Sequence, residues 1–132
     1  TKQEQSDMWK AEIEKGLREP VMYVGNLSAE RDFTDVRDVV RAYALLVQKG
    51  KAGETYNVGS GHAVSIQEIL DLILSLSGSE IRVEVDSNKL RPVDVPIIEA
   101  DTDKLKAATG WEQTIPLRQT IEETLDYWRG QV

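Results

Sequence analysis

The run Arg31-Asp32-Phe33-Thr34-Asp35-Val36-Arg37-Asp38 holds the residue types with the most chemical reach in this 132-residue chain. It follows a strand-like segment and passes into the first turn of a helix. Asp35 is placed to cap that helix, and Asp38 to complement its positive end. Arg31 falls in the loop just before the turn, where a guanidinium beside free backbone N–H groups can grip a phosphate. The same spacing also fits a surface arginine paired with Asp32 or Asp35, an arrangement that is common and weak.

A second constellation is Arg91-Pro92-Val93-Asp94. Pro92 restricts the backbone of Arg91, Arg91 offers a planar fork to a diphosphate, and Asp94 can accept from ribose hydroxyls. A solvated loop with an internal ion pair fits these residues as well. Two separated arginine loops can nevertheless converge on one anion. Gly59-Ser60-Gly61 lies between a strand-like and a helix-like segment, as a dinucleotide loop would. Val64 stands where the third glycine of that fingerprint belongs, so an ordinary turn is the reading. His62 is the only histidine, and no metal-ligand spacing surrounds it. No pair of acids stands out as acid and base, and no catalytic residue is assigned. Tyr23, Tyr43, Tyr56 and Tyr127 all lack a lysine four residues on.

The elements that must position these groups are read from periodicity and caps. Residues 1–6 read as polar and frayed, and Ser6 or Asp7 caps a helix through about Leu17 with Trp9, Ile13 and Leu17 inward. Val21-Met22-Tyr23-Val24 reads as a strand. Val36, Val39, Val40, Tyr43 and Val47 mark the apolar face of the helix after Asp35, with Gly50 as its left-handed stop. Glu54-Thr55-Tyr56-Asn57-Val58 reads as a good strand. Ser65 and Glu68 form a capping box for a helix that buries Ile66, Ile69, Leu70 and Ile73 and stops at Gly78. Ile81 to Val85 alternates as a half-exposed strand, and 86–96 is a polar loop. Asp101 or Thr102 caps a short helix ending at Gly110, after which Trp111 folds onto the core. Pro116 opens a last helix with Leu117, Ile121, Thr124, Leu125 and Trp128 inward. The pattern is mixed α and β, with too few strands for a full doubly wound sheet.

The totals narrow the classes. A net charge of −7 argues against nonspecific binding to nucleic acid or an anionic membrane, but not against a nucleotide held by a few local cations. There is no cysteine, hence no disulfide or thiolate chemistry, which fits a cytoplasmic enzyme. No apolar run approaches a membrane span. The first residue is Thr1 and not Met, so the chain reads as one domain from a longer protein. Its strand at 54–58 looks made to join a larger sheet, so self-association into a homo-oligomer is expected.

Gly25-Asn26-Leu27, the Arg31–Asp38 run and Arg91-Pro92-Val93-Asp94 together resemble the C-terminal part of extended short-chain dehydrogenase/reductases acting on nucleotide sugars. The resemblance runs from about Ser6 to Arg129. It is closest to GDP-4-keto-6-deoxy-D-mannose reductases, with GDP-mannose 4,6-dehydratases next and UDP- or dTDP-sugar epimerases after them. It implies an α/β fold, the C-terminal portion of a Rossmann-type enzyme without the dinucleotide-binding half. It implies that residues 1–132 are a nucleotide-sugar-binding domain in which Arg31 and Arg91 hold the diphosphate of a GDP-sugar and Asp94 the ribose. NADP or NAD would serve the parent enzyme. The Tyr-x-x-x-Lys pair and the glycine-rich cofactor loop of the superfamily are absent here, so the chain alone is expected to bind no cofactor and to be inactive. Gly110-Trp111 matches a structural signature. Lys10 stands where the family would have Arg, and Met8-Trp9 where it would have Phe-Ala, so no contact is assigned to them. A non-catalytic binding or interaction module is the reading from another class.

Overall fold

Local signals that need no distant partner form as expected. Asp35 leaves the helical conformation and accepts from the Arg37 N–H at 2.9 Å, which starts α2 (Val36–Lys49). Ser65 Oγ accepts from the Glu68 N–H at 3.1 Å and starts α3 (Ile66–Ser75). Gly110, with a φ of 71°, closes α4 (Asp103–Thr109) in the left-handed stop position. The computed structural model describes residues 2–76, 78–92 and 95–132. The remaining elements are α1 (Lys2–Glu14), β1 (Val21–Val24), β2 (Glu30–Asp32), β3 (Ala63–Ser65), β4 (Arg82–Val85), β5 (Ile97–Ile98) and α5 (Leu117–Gln131). None of the described helices is long and apolar enough to cross a membrane.

The chain divides into two compact units. The first comprises Thr1–Ala29, Ser65–Pro96 and Arg118–Val132. Here β1 and β4 pair in parallel, with Val21 opposite Arg82 and Val24 opposite Val85. Ile13, Met22 and Leu70 form the buried centre, with Trp9, Val24 and Val83 against it. Helix α1 departs from its expected course: it starts by Lys2 and ends at Glu14, so Leu17 lies outside it and is exposed. Gly16 takes a φ of 71° and turns the chain away before Leu17 can reach the core. The buried face instead includes Asp7 and Lys10. Lys10 Nζ donates to the Ile73 carbonyl of α3 and lies 3.9 Å from Glu14. Arg129 of α5 grips Glu14 through Nε and Nη2 at 2.7 and 2.8 Å. Burial pushes the Lys10 ammonium down to about 8, with the Glu14 charge opposing and Arg129 adding to the shift. Helix α3 ends at Ser75 with Leu76 as its C-cap, short of Gly78.

The second unit comprises Glu30–Val64 and Ile97–Leu117. Strand β2 lies between β3 and β5, parallel to β5. None of these three short strands stands out in the sequence. The core is Ala42, Leu105 and Trp111, with Leu45, Leu46, Tyr56 and Val58 against it. Trp111 is fully buried, as expected, and its Nε1–H donates to the Asp38 carbonyl at 2.9 Å. The Asp38 carboxylate is also buried. It accepts from the backbone N–H groups of Thr114 and Ile115, from Thr114 Oγ1 and from Arg41. Burial alone would raise this carboxyl, but the Ile115 N–H, Arg41 and Thr114 outweigh it and hold it below its ordinary value.

Several expectations in this unit are corrected. The face of α2 marked by apolar spacing points outward: Val36, Val40, Tyr43 and Val47 are 56–89% exposed, whereas Asp38 and Ala42 are buried. Residues 54–58 form no strand, because no partner strand lies beside them among the described residues. Gly50 also differs. Its φ is −70°, and it suits its place because an added Cβ would lie 2.5 Å from the Leu46 carbonyl oxygen.

Two outcomes are expected. Asp38→Asn should lower unfolding free energy by roughly 1.5–3 kcal/mol, since an amide cannot accept all these donors. The folded carboxyl titrates below 3.8, so its contribution is complete above that value and is lost as pH falls through the depressed one. Urea melts of both proteins should therefore converge as the pH falls through that depressed value. For Lys10 stability also rises with pH, but because the folded group sheds its charge. The folded group releases its proton near 8 and the unfolded one near 10.5, so stability should rise between those values. Lys10→Met should remove that rise, and an unchanged slope would contradict the buried ammonium.

Candidate functional site

Arg31 is the middle residue of β2, not part of a loop, because Glu30 and Arg31 sit opposite Ile97 and Ile98 of β5. It is half-buried, and its Nη1 donates to the Glu30 carbonyl at 2.7 Å. A three-residue strand has little hold of its own. The neighbouring Asp32 fixes it. The Asp32 carboxylate accepts from Ser60 N–H at 2.9 Å and Ser60 Oγ at 2.5 Å on one oxygen. Its other oxygen accepts from Gly61 N–H at 2.9 Å and Ala100 N–H at 3.2 Å. Burial would raise the carboxyl, but these four bonds outweigh it and keep it ionised below the ordinary range. Gly59 is required here by space: an added Cβ would lie 2.5 Å from the Ala100 Cβ and 2.8 Å from Asp32 Oδ2.

This arrangement decides the reading of Gly59-Ser60-Gly61. The N–H groups of Ser60 and Gly61 are donated to the chain's own carboxylate, so they do not form a phosphate cradle. The turn is structural, as its missing third glycine suggested. His62 is exposed beside it. A depression of about 280 Å³ lies here, lined by Phe33, Ser60, His62, Val64 and residues 113–117. It holds no carboxylate and neither candidate arginine. Among the described residues no group of three His, Cys, Asp or Glu is placed to hold a metal.

Arg91 belongs to the first unit. It lies just past a short 3₁₀ turn, Ser87–Lys89, and is exposed. Its guanidinium makes no hydrogen bond or ion pair among the described residues. The turn is capped by Asp86, whose carboxylate accepts from the Asn88 N–H at 2.9 Å. Asp94 lies outside the described residues. Lys10, at the position where the family would have Arg, faces the interior and the Ile73 carbonyl, so it presents no cation to a ligand. Sequence reasoning missed Asp32 as the acceptor that anchors β2. Its partners stand 28 to 68 residues away, and no local pattern announces them.

The family model described as GDP-mannose 4,6 dehydratase matches residues 8–124. A GDP-6-deoxy-D-mannose reductase from Pseudomonas aeruginosa is 31% identical over 92% of this chain and 40% of its own length. A GDP-mannose 4,6-dehydratase from Sinorhizobium fredii is 27% identical over 91% of this chain and 40% of its own length. The solved structure of RMD from Pseudomonas aeruginosa complexed with NADPH superposes with a TM-score of 0.93 at 30% identity, covering 98% of this chain and 43% of that one. The chain thus spans about two fifths of the length of these relatives. Its mixed α/β fold with few short strands is that of the C-terminal part of the extended enzymes. With most of its residues matched by the family model, the chain belongs to the GDP-mannose 4,6 dehydratase family of extended short-chain dehydrogenase/reductases.

Proposed function

We propose that these residues are the nucleotide-sugar-binding portion of an NAD(P)-dependent, cytoplasmic GDP-sugar oxidoreductase similar to GDP-6-deoxy-D-mannose reductase. The observation that carries this reading is similarity to GDP-sugar enzymes along nearly the whole chain, together with the two arginine motifs. In this reading Arg31 and Arg91 both bind the diphosphate of the GDP-sugar, and Asp94 the ribose. Arg31 is supported by the bonds that fix β2 around it, and Arg91 by an exposed guanidinium ahead of a stiffening proline.

The hydride chemistry of such enzymes needs a nicotinamide and a group that moves a proton. This chain's residues do not fit that cofactor: its glycine turn is occupied by Asp32, and no tyrosine has its lysine partner. The chain's part is binding and orientation. Purified alone, it should oxidise no NADH or NADPH when given a GDP-4-keto-6-deoxy-sugar, and turnover free of contaminating enzyme would overturn that division.

The outward apolar face of α2, with Val36, Val40, Tyr43 and Val47, is incompletely covered in the second unit. We expect the isolated chain to self-associate through it. Light scattering should show a species larger than the monomer, and Val40→Glu should reduce it.

Calorimetry tests the binding assignment. GDP should bind, with UDP and dTDP weaker. Binding none of the three would favour an interaction module. Charge-assisted bonds contribute about 1.5–3 kcal/mol, so Arg31→Ala and Arg91→Ala should each weaken GDP binding roughly ten- to a hundredfold. Asp94→Ala should cost less, nearer about 1 kcal/mol. The double arginine variant should be non-additive. If Arg31→Ala leaves affinity unchanged while the thermal melt is intact, Arg31 is not a ligand contact.

A further inference from the structure

Lys89 is held at three points although most of it faces solvent. Its ammonium donates to the Tyr23 carbonyl at 3.0 Å and lies 4.5 Å from the centre of the Trp9 ring. Its backbone carbonyl presses on Gly25, where an added Cβ would approach to 2.5 Å. The turn that carries it is stitched at both ends. The Asp86 N–H donates to the Val24 carbonyl at 2.8 Å, and the Lys89 N–H donates to the Asp86 carbonyl at 2.9 Å. Trp9 is itself held by the guanidinium of Arg18, 4.8 Å from the ring centre, and Arg18 is tied to Glu12 at 2.8 Å. All these groups lie in the first unit.

An exposed lysine is seldom fixed so firmly for its own sake. A surface cation over an aromatic ring contributes little to stability by itself. The arrangement makes sense as a brace for the arginine that comes next. Arg91 stands two residues beyond Lys89, and Pro92 restricts its backbone from the other side. A ligand-binding arginine on a tethered turn loses less freedom when it meets its anion than one on a loose loop.

We infer that Trp9 and Lys89 are positioning residues that clamp the 86–90 turn against β1 and α1 and so preorganise Arg91 for a nucleoside diphosphate. The inference rests on the reading of Arg91 as a diphosphate ligand. Neither Trp9 nor Lys89 touches the ligand itself.

The test is calorimetry of GDP binding to the 132-residue chain with Trp9→Leu, Trp9→Phe and Lys89→Met, alone and combined with Arg91→Ala. Trp9→Leu and Lys89→Met should each weaken GDP by about three- to tenfold with melting temperature little changed. Trp9→Phe, which keeps a ring under the ammonium, should restore most of the loss. In the Arg91→Ala background both changes should have little further effect. Lys89→Met alters only an exposed side chain, so the test stands even if Trp9→Leu fails to fold. A full Lys89→Met loss that persists without Arg91 would make Lys89 a direct contact and overturn the clamp. So would unchanged affinity in Lys89→Met. If Arg91→Ala alone leaves GDP affinity unchanged, the assignment of Arg91 falls first and the clamp falls with it.

Discussion

The second unit depends on a carboxylate turned inward. Asp32 gathers four donors from two places in the chain, residues 60–61 and residue 100, and these bonds add to the few ladder bonds that hold β2. A partly buried charge is costly unless its hydrogen-bonding capacity is met, and at Asp32 it is met mostly by backbone N–H groups. Asp38 does the same for the 112–115 loop through Thr114 and Ile115. The chain is acidic overall, but these two acids are structural acceptors. The consequence for function is direct. The residue bonded to the loops is the immediate neighbour of Arg31, so that arginine's backbone sits in a frame set by partners far away in sequence.

The first unit solves a different electrostatic problem. Lys10 brings a cation into the interior between α1 and α3, and Arg129 adds a second cation nearby. Glu14 is the counter-charge for both. Removing Glu14 would leave the buried Lys10 ammonium without this counter-charge and close to Arg129, which costs stability. The buried lysine is therefore part of the packing of α1 against α3.

The features legible in the sequence are local ones. Asp35, Ser65, Gly110 and Trp111 each act within a few residues or on the core, and each does what its type and position suggest. The strands at 21–24 and 82–85 are legible because their apolar residues alternate or cluster. The misreadings share one cause. Periodicity identifies an apolar face but not what covers it, so spacing alone turns Val36, Val40, Tyr43 and Val47 inward although Ala42 and Asp38 take that place. The run at 54–58 has strand composition, and a strand exists only with a neighbour. Of the site, both arginine motifs are visible as motifs. The bonds from Asp32 to residues 60, 61 and 100 are not, because no local rule couples them.

If Arg31 and Arg91 hold the diphosphate, the chain is a binder of guanosine diphosphate groups. The most direct measurement is an amide ¹H–¹⁵N titration of the uniformly labelled chain with GDP. Saturable shifts should then concentrate at residues 30–32 and 89–91, with the buried Trp111 and Asp38 region unmoved. Saturable shifts confined to the Phe33–His62 depression, or no saturable shift at either arginine, would contradict this assignment.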